Sequence, residues 1–374
     1  MHAHLPSARL SFVMILAAAT AVPAAAQQTE RYALAGANVA VYNLAGEVRI
    51  EAGDGSEVVV ELTRGGADAG ELEVDVGDIG GWQSLRVIYP SDRIVYPRLG
   101  ERSSTDMRVR ADGTFGRINM PGAGDQGDVM AFARDRGHRV RISGGGSGME
   151  AYADMRVLVP QGQRIAVLLG VGRAYVSNVD GELLVDVAAA SIEARGPRGW
   201  LRLDTGSGSI DLRGAEGEVI LDTGSGRIEA AEVRGPRLVM DTGSGRVEAR
   251  SIEVDSLTVD TGSGSVSLAD VSARVIKVDT GSGSVRLGLL SDVDELEIDT
   301  GSGSVTLSVP EALGADITVD TGSGGITFDI PVQAREIRRS RLRGTIGDGA
   351  GRIEIDTGSG GVRLVRASGG RPPA

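Results

Sequence analysis

Asp-Thr-Gly-Ser after a short apolar run is the residue set with which aspartic proteases present a catalytic carboxylate. In this chain "DTGSG" begins at Asp204, Asp222, Asp241, Asp260, Asp279, Asp299, Asp320 and Asp356. Protease chemistry needs two such carboxylates that face each other and share one proton. One motif from each of two lobes meets that need, whereas motifs repeated along the chain do not. The residue after Ser is also always Gly (Gly208, Gly264, Gly303), where a protease usually carries a hydroxyl or acidic residue. The Asp residues are therefore read as structural, with no catalytic residue and no enzyme activity assigned.

Successive motifs start 18, 19, 19, 19, 20, 21 and 36 residues apart, the last interval being about two periods with a degenerate copy between. Worn copies around Asp186 and Gly170 extend the array upstream. Apolar residues sit three and one before each Asp (Leu257 and Val259 at Asp260) and six and eight after it (Val266 and Leu268), with mostly polar residues between. That alternation describes two half-buried strands flanking a corner. A pair of such strands cannot bury its apolar face alone, but coils stacked on one another make a continuous core. The fold expected is all-β: a parallel β-solenoid of about 19-residue DTGSG rungs. About eleven rungs at the usual strand spacing would give a rod of roughly 50 Å.

In that fold the two glycines serve positive φ or close stacking at a tight corner. The short Asp, Thr and Ser side chains bond nearby backbone groups and bond up and down the stack. The cost is a row of carboxylates one rung apart, compensated by backbone donors, hydroxyls or a bound cation. Asp222, Asp241, Asp260, Asp279 and Asp299 thus form a candidate cation column. The calcium-binding β-roll pattern differs, since there Asp follows the glycines in a nonapeptide. Adventitious Ca2+ is the most that is expected, and no cofactor.

Composition narrows the classes further. There is no Cys, so disulfides and thiolate metal sites are excluded. Of three His, only His138 lies outside the leader, in "RDRGHRVR", where a solvated loop residue is expected. The glycine strings lack the Gly-Lys-Ser/Thr ending of a phosphate loop. Twelve aromatic residues against 56 Gly suit thin stacked layers rather than a conventional globule, and a formal charge of −12 disfavours nucleic acid and anionic membranes.

Residues 1–26 read as a signal peptide: an Arg-bearing start, the apolar run "SFVMILAAATAV" and a small-residue cleavage site near Ala26. No Cys follows that site, so no lipoprotein anchor is expected, and no later run is long enough to cross a membrane as a helix. Export to the periplasm, outer surface or medium of a bacterium is the expectation. Residues 27–90 alternate as β-strands that form a cap or the first coils. Residues 91–148 break the pattern and read as a Gly/Arg-rich loop insertion, with a ligand-binding lid as the alternative. The solenoid array follows over 149–366, closing with a last rung, and 367–374 form a flexible tail.

The stretch "ANVAVYNLAGEVRIEAGDGSEVVVELTR" at 37–64, the repeated "DTGSGSV" and the closing "LRGTIGDGAGRIEIDTGSGGVRLV" at 342–365 together resemble the adhesin-like family of bacterial β-strand-repeat proteins, a domain of unknown function. The resemblance implies a solenoid-like fold and an envelope location, and it supplies no catalytic residue. The function expected is that of an exported, non-enzymatic structural or adhesin-like β-repeat protein. A polysaccharide-active β-helix enzyme and a cation-stabilised structural module are the alternatives. Partners would be an envelope, glycan or protein surface, and end-to-end self-association stays open because exposed sheet ends invite pairing.

Overall fold

The computed structural model describes residues 29–121 and 137–367. The signal-peptide assignment and, beyond Ala367, the tail lie outside the described residues. The chain is all-β: strands form one 23-stranded sheet and a separate four-stranded sheet, and the only helical turns described are the short 3-10 pieces Ala69–Glu71 and Pro97–Leu99. The expected β-solenoid is what the repeats build.

A full rung has three straight segments. In Val247–Thr261, residues 247–250, 252–254 and 256–261 pair separately with the rungs on either side, all parallel and in register. The DTGSG turn makes one corner. A second corner is a stack of left-handed residues, Asn178, Gly196, Gly214, Glu232, Ser251 and Asp270, with φ between 54° and 70°. Four of these six carry a β-carbon, so the conformation is imposed by stacking rather than chosen by glycine.

The interior is filled by in-register columns of small apolar residues. One runs Leu203, Leu221, Met240, Val259, Val278 and Ile298, every member buried. No aromatic residue occurs between Trp200 and Phe328, so these columns are built from aliphatic side chains alone. The aromatics gather instead toward the N-terminal end, where Tyr42, Tyr89, Tyr96 and Phe115 are buried.

At that end Asn38–Ala52 is the first complete rung. It pairs with Gln163–Ser177 on one side, and with Trp82–Ile88 and Tyr152–Val159 on the other. The strands Thr29–Leu34, Val58–Gly65 and Glu73–Ile79 close the end by antiparallel pairing. Within it the buried Asn43 donates to the Ala153 carbonyl at 2.7 Å and accepts from the Tyr89 hydroxyl at 2.8 Å, a polar knot that joins the cap to the first rung.

Two expectations are corrected. Residues 91–148 are not simply a loop: Arg93–Val95, Ser104–Val109, His138–Ser143 and Met149–Glu150 form the four-stranded sheet. The alternation Met107/Val109 and Val140/Ile142 drives it, with Val109, Val140 and Ile142 buried, and it was hidden by the surrounding Arg and Gly. His138 accordingly opens a strand, 3.3 Å from Asp92.

The final repeats are also not stacked in chain order. The rung carrying Asp356 pairs with that of Asp299 on one side and that of Asp320 on the other. Its second strand Val362–Arg366 likewise lies between Val305–Val309 and Ile326–Phe328. Instead of a degenerate rung between Asp320 and Asp356, the chain makes a hairpin, Gln333–Arg338 with Arg341–Ile346, antiparallel to Ala315–Thr321. The C-terminal rung then fills the gap left behind.

The glycines of the corner answer to stacking. A β-carbon on Gly264 would fall 1.6 Å from the Gly245 carbonyl oxygen one rung below, and the same closeness recurs at Gly226, Gly245, Gly283 and Gly303. None of these has positive φ. Gly264→Ala should therefore destabilise the chain by about 3 kcal/mol or more, because backbone must move. Ser263→Ala, at an exposed position of the same turn, should stay within about 0.5 kcal/mol; urea denaturation of the two variants compares them.

Candidate functional site

Two side chains of the motif divide the work by direction. Thr205, Thr223, Thr242, Thr261, Thr280, Thr300, Thr321 and Thr357 point inward and are buried. Thr261 shows the pattern: its hydroxyl accepts from the Gly264 N–H at 2.9 Å, closing the turn, and donates to the Gly245 carbonyl of the preceding rung at 3.3 Å. Thr223, Thr242, Thr280 and Thr300 repeat both bonds. One hydroxyl thus satisfies a buried N–H and staples two rungs.

Asp points the other way. The in-register column reads Asp186, Asp204, Asp222, Asp241, Asp260, Asp279, Asp299, Asp356, Asp320 from one end to the other. The candidate cation residues Asp222, Asp241, Asp260, Asp279 and Asp299 are therefore brought into one line. Each stands one rung from the next on parallel strands, so they do not converge on a point. Among the described residues no group of three or more His, Cys, Asp or Glu is gathered as a metal-binding set. Nor do any two column carboxylates face across a two-fold as a protease dyad does.

The ion pairs that the column makes come from arginine. Arg202 bridges Asp204 and Asp222 at 3.0 and 3.1 Å, and Arg341 pairs with Asp320. Between these ends Asp241, Asp260, Asp279, Asp299 and Asp356 are exposed and make no ion pair or hydrogen bond among the described residues. Burial, then the like charges above and below, push the carboxyls of Asp260 and Asp299 above the usual range. Asp222 is raised for the same reasons against the opposing pull of Arg202.

The first member of the column is different. The segment around Gly116 lies over the outer face of the early rungs, where a β-carbon on Gly116 would fall 2.9 Å from Leu168 and 3.4 Å from the Asp186 carboxylate. Phe115 packs edge-on to Tyr42 in the same cover, with ring centroids 5.8 Å apart. Burial beneath it, then Asp204, pushes the Asp186 carboxyl up to about 6. Sequence reasoning missed this cover and the Arg202 clamp. The signal for the clamp was an Arg two positions before the Asp, where the next three repeats carry the uncharged Ile220, Val239 and Thr258.

The sequence profile of the Toastrack family, DUF4097, matches residues 105–365. The chain belongs to the Toastrack family. The resemblance read from the repeated motif is thereby borne out, and the family is a domain of unknown function. Two solved structures are similar. A "putative cell adhesion protein" from Clostridium sporogenes ATCC 15579 is 9% identical, with 91% of this chain and 99% of that chain covered at a TM-score of 0.18. A "putative lipid binding protein" from Parabacteroides distasonis ATCC 8503 is 10% identical, with 91% and 96% covered at a TM-score of 0.38. No protein of curated function matches this Toastrack chain.

Two measurements check the division of labour in the corner. Thr261→Val keeps the shape but leaves the Gly264 N–H unpaired, and should cost about 1–3 kcal/mol in urea denaturation. Asp186 bears on pH. Its folded pKa is above its unfolded one, so the native state holds a proton that the unfolded chain has lost between pH of about 4 and about 6. Stability from this group is therefore gained as pH falls through about 6 and is lost as pH rises. Asp186→Asn should be more stable than the parent near neutrality, with the difference shrinking toward pH of about 4.

Proposed function

We propose that this chain is an exported, non-enzymatic β-solenoid that serves structure or adhesion at the bacterial envelope. The observation that carries the reading is the repeated outer surface. In-register stacking presents the same Asp-Thr-Gly-Ser-Gly corner every rung along the rod, with the Asp column on one side. Opposite-charge pairs such as Arg227–Glu229 and Arg246–Glu248 lie on another. A line of recurring, closely spaced corners suits many weak contacts made at once, where multivalency raises affinity without a deep pocket. Family membership supports the reading, and so does the residue chemistry. The column carboxylates are lined up rather than convergent, and the middle rungs offer no aromatic platform for a sugar ring.

The location belongs to the same proposal: the leader-like segment at 1–26 supports export. No described helix is long and apolar enough to cross a membrane. The partner chemistry favoured is an envelope polymer or protein surface rather than a small molecule.

The test is a binding screen of purified chain against envelope fractions and polysaccharides, with each mixture also assayed for released sugar or peptide. The expected outcome is retention on an envelope component with no product. Release of product from any component would overturn the non-enzymatic reading, and failure to bind any fraction would overturn the adhesive one.

A further inference from the structure

The two poles of the solenoid end on strands with one open edge each. Among the described residues Glu73–Ile79 pairs only with Trp82–Ile88, and Gln333–Arg338 only with Arg341–Ile346. An open edge presents unpaired N–H and C=O groups and is a template for another strand.

These edges terminate the same core column. From one pole it runs Val76, Leu85, Val41, Val167, Val185, Leu203, and on through the repeats to Ile298. It continues through Ile355, Val319 and Leu342 to Ile337 at the other pole. Every member between the ends is buried, whereas Val76 is 38% and Ile337 63% exposed. Phe328, 37% exposed, ends the second column at the C-terminal pole in the same way, next to buried Leu364. Three of the four large exposed hydrophobics among the described residues are thus the last members of core columns.

Charge gives the edges opposite signs. Glu73–Ile79 carries Glu73, Asp75 and Asp78 with no cation, while Gln333–Arg338 carries Arg335 and Arg338 against Glu336, followed by Arg339. Either edge repels a second copy of itself and attracts the other, so only a head-to-tail contact is favoured.

Strand direction agrees. Gln333–Arg338 is antiparallel to a strand that is itself antiparallel to the rungs, and so runs with them. Glu73–Ile79 is antiparallel to Trp82–Ile88, which runs with the rungs. Stacked in the same orientation, the two meet antiparallel. Placing Val76 opposite Ile337 then sets Asp75 opposite Arg338 and brings Asp78 toward Arg335. Asp75 already holds Arg86 at 2.6 Å, and Arg338 holds Glu336 at 2.9 Å, so the junction would be an alternating row of charges.

We propose that copies of this chain associate head to tail, Gln333–Arg338 of one copy pairing with Glu73–Ile79 of the next and continuing the core column through Ile337 and Val76. The interface is heterologous, so its product is an open filament rather than a closed dimer. It does not depend on the adhesive reading.

Sedimentation velocity of the purified chain over a concentration series tests this. The parent should form species larger than dimers in low salt and smaller ones in high salt, which screens the charged row. Val76→Asp and Ile337→Asp each disable one pole and should each weaken association on the order of tenfold or more, circular dichroism confirming that both stay folded. An equimolar mixture of the two variants retains one good pole of each kind and should stop at a dimer. A parent that is monomeric throughout would overturn the proposal. So would a dimer abolished by only one of the substitutions, or variants that fail to pair when mixed.

Discussion

Strands packed one rung apart at the DTGSG corner leave no room for a β-carbon, and that closeness governs the rest of the molecule. The Gly264 position sits over the Gly245 carbonyl at a distance only hydrogen tolerates. With backbones so near, the turn N–H groups are shut away from water and require an acceptor from within the rung. Thr261 supplies it, and the same hydroxyl reaches the rung below. Ser in that place would keep the hydroxyl but lose a methyl from the core; Val would keep the methyl but orphan the N–H. Asp then occupies the alternate position on the strand, and the period of two turns it outward.

That outward placement explains how the fold tolerates a line of like charges. A buried column of this kind would have to be neutralised by protons or cations. Here the middle of the line faces water, where neighbours a rung apart repel weakly. Among the described residues the arginines paired with the column lie toward its ends, Arg202 near the covered early rungs and Arg341 at the terminal hairpin. The covered Asp186 is the exception that supports the rule, since it alone in the column is raised as far as about 6.

The repeat core could be read from the sequence because one rule governs every rung. Alternation at Leu257/Val259 and Val266/Leu268 set the strands, and recurrence set the stacking. What escaped were features made by single, non-repeating contacts. The inward Thr and outward Asp are equally polar in sequence, and only the register tells them apart. The left-handed corner passes through Glu232 and Ser251, residues with no marked preference for it. The buried Asn43–Tyr89 knot joins residues far apart in the chain. The sheet within 91–148 was obscured by Arg and Gly around a short alternation.

The out-of-order C-terminal rung follows from a difficulty that near-identical repeats create. When every rung presents the same apolar pattern and the same corner, a strand can pair one rung out of place at little cost, and register is poorly specified from within. Distinct ends remove that degeneracy. At the N-terminal pole the Asn43 contacts to Tyr89 and Ala153 can form in only one alignment. At the other pole the rung of Asp320 is held away by its antiparallel hairpin, with Arg341 on Asp320 and Arg335 on Asp316. The gap that results admits one more rung, and the segment 351–366 enters it with partners on both sides. A slipped array would leave that slot unfilled or doubly claimed. The last rung therefore fixes the register of the stack, so that rungs alike enough to exchange are held in one order by the parts of the chain that do not repeat.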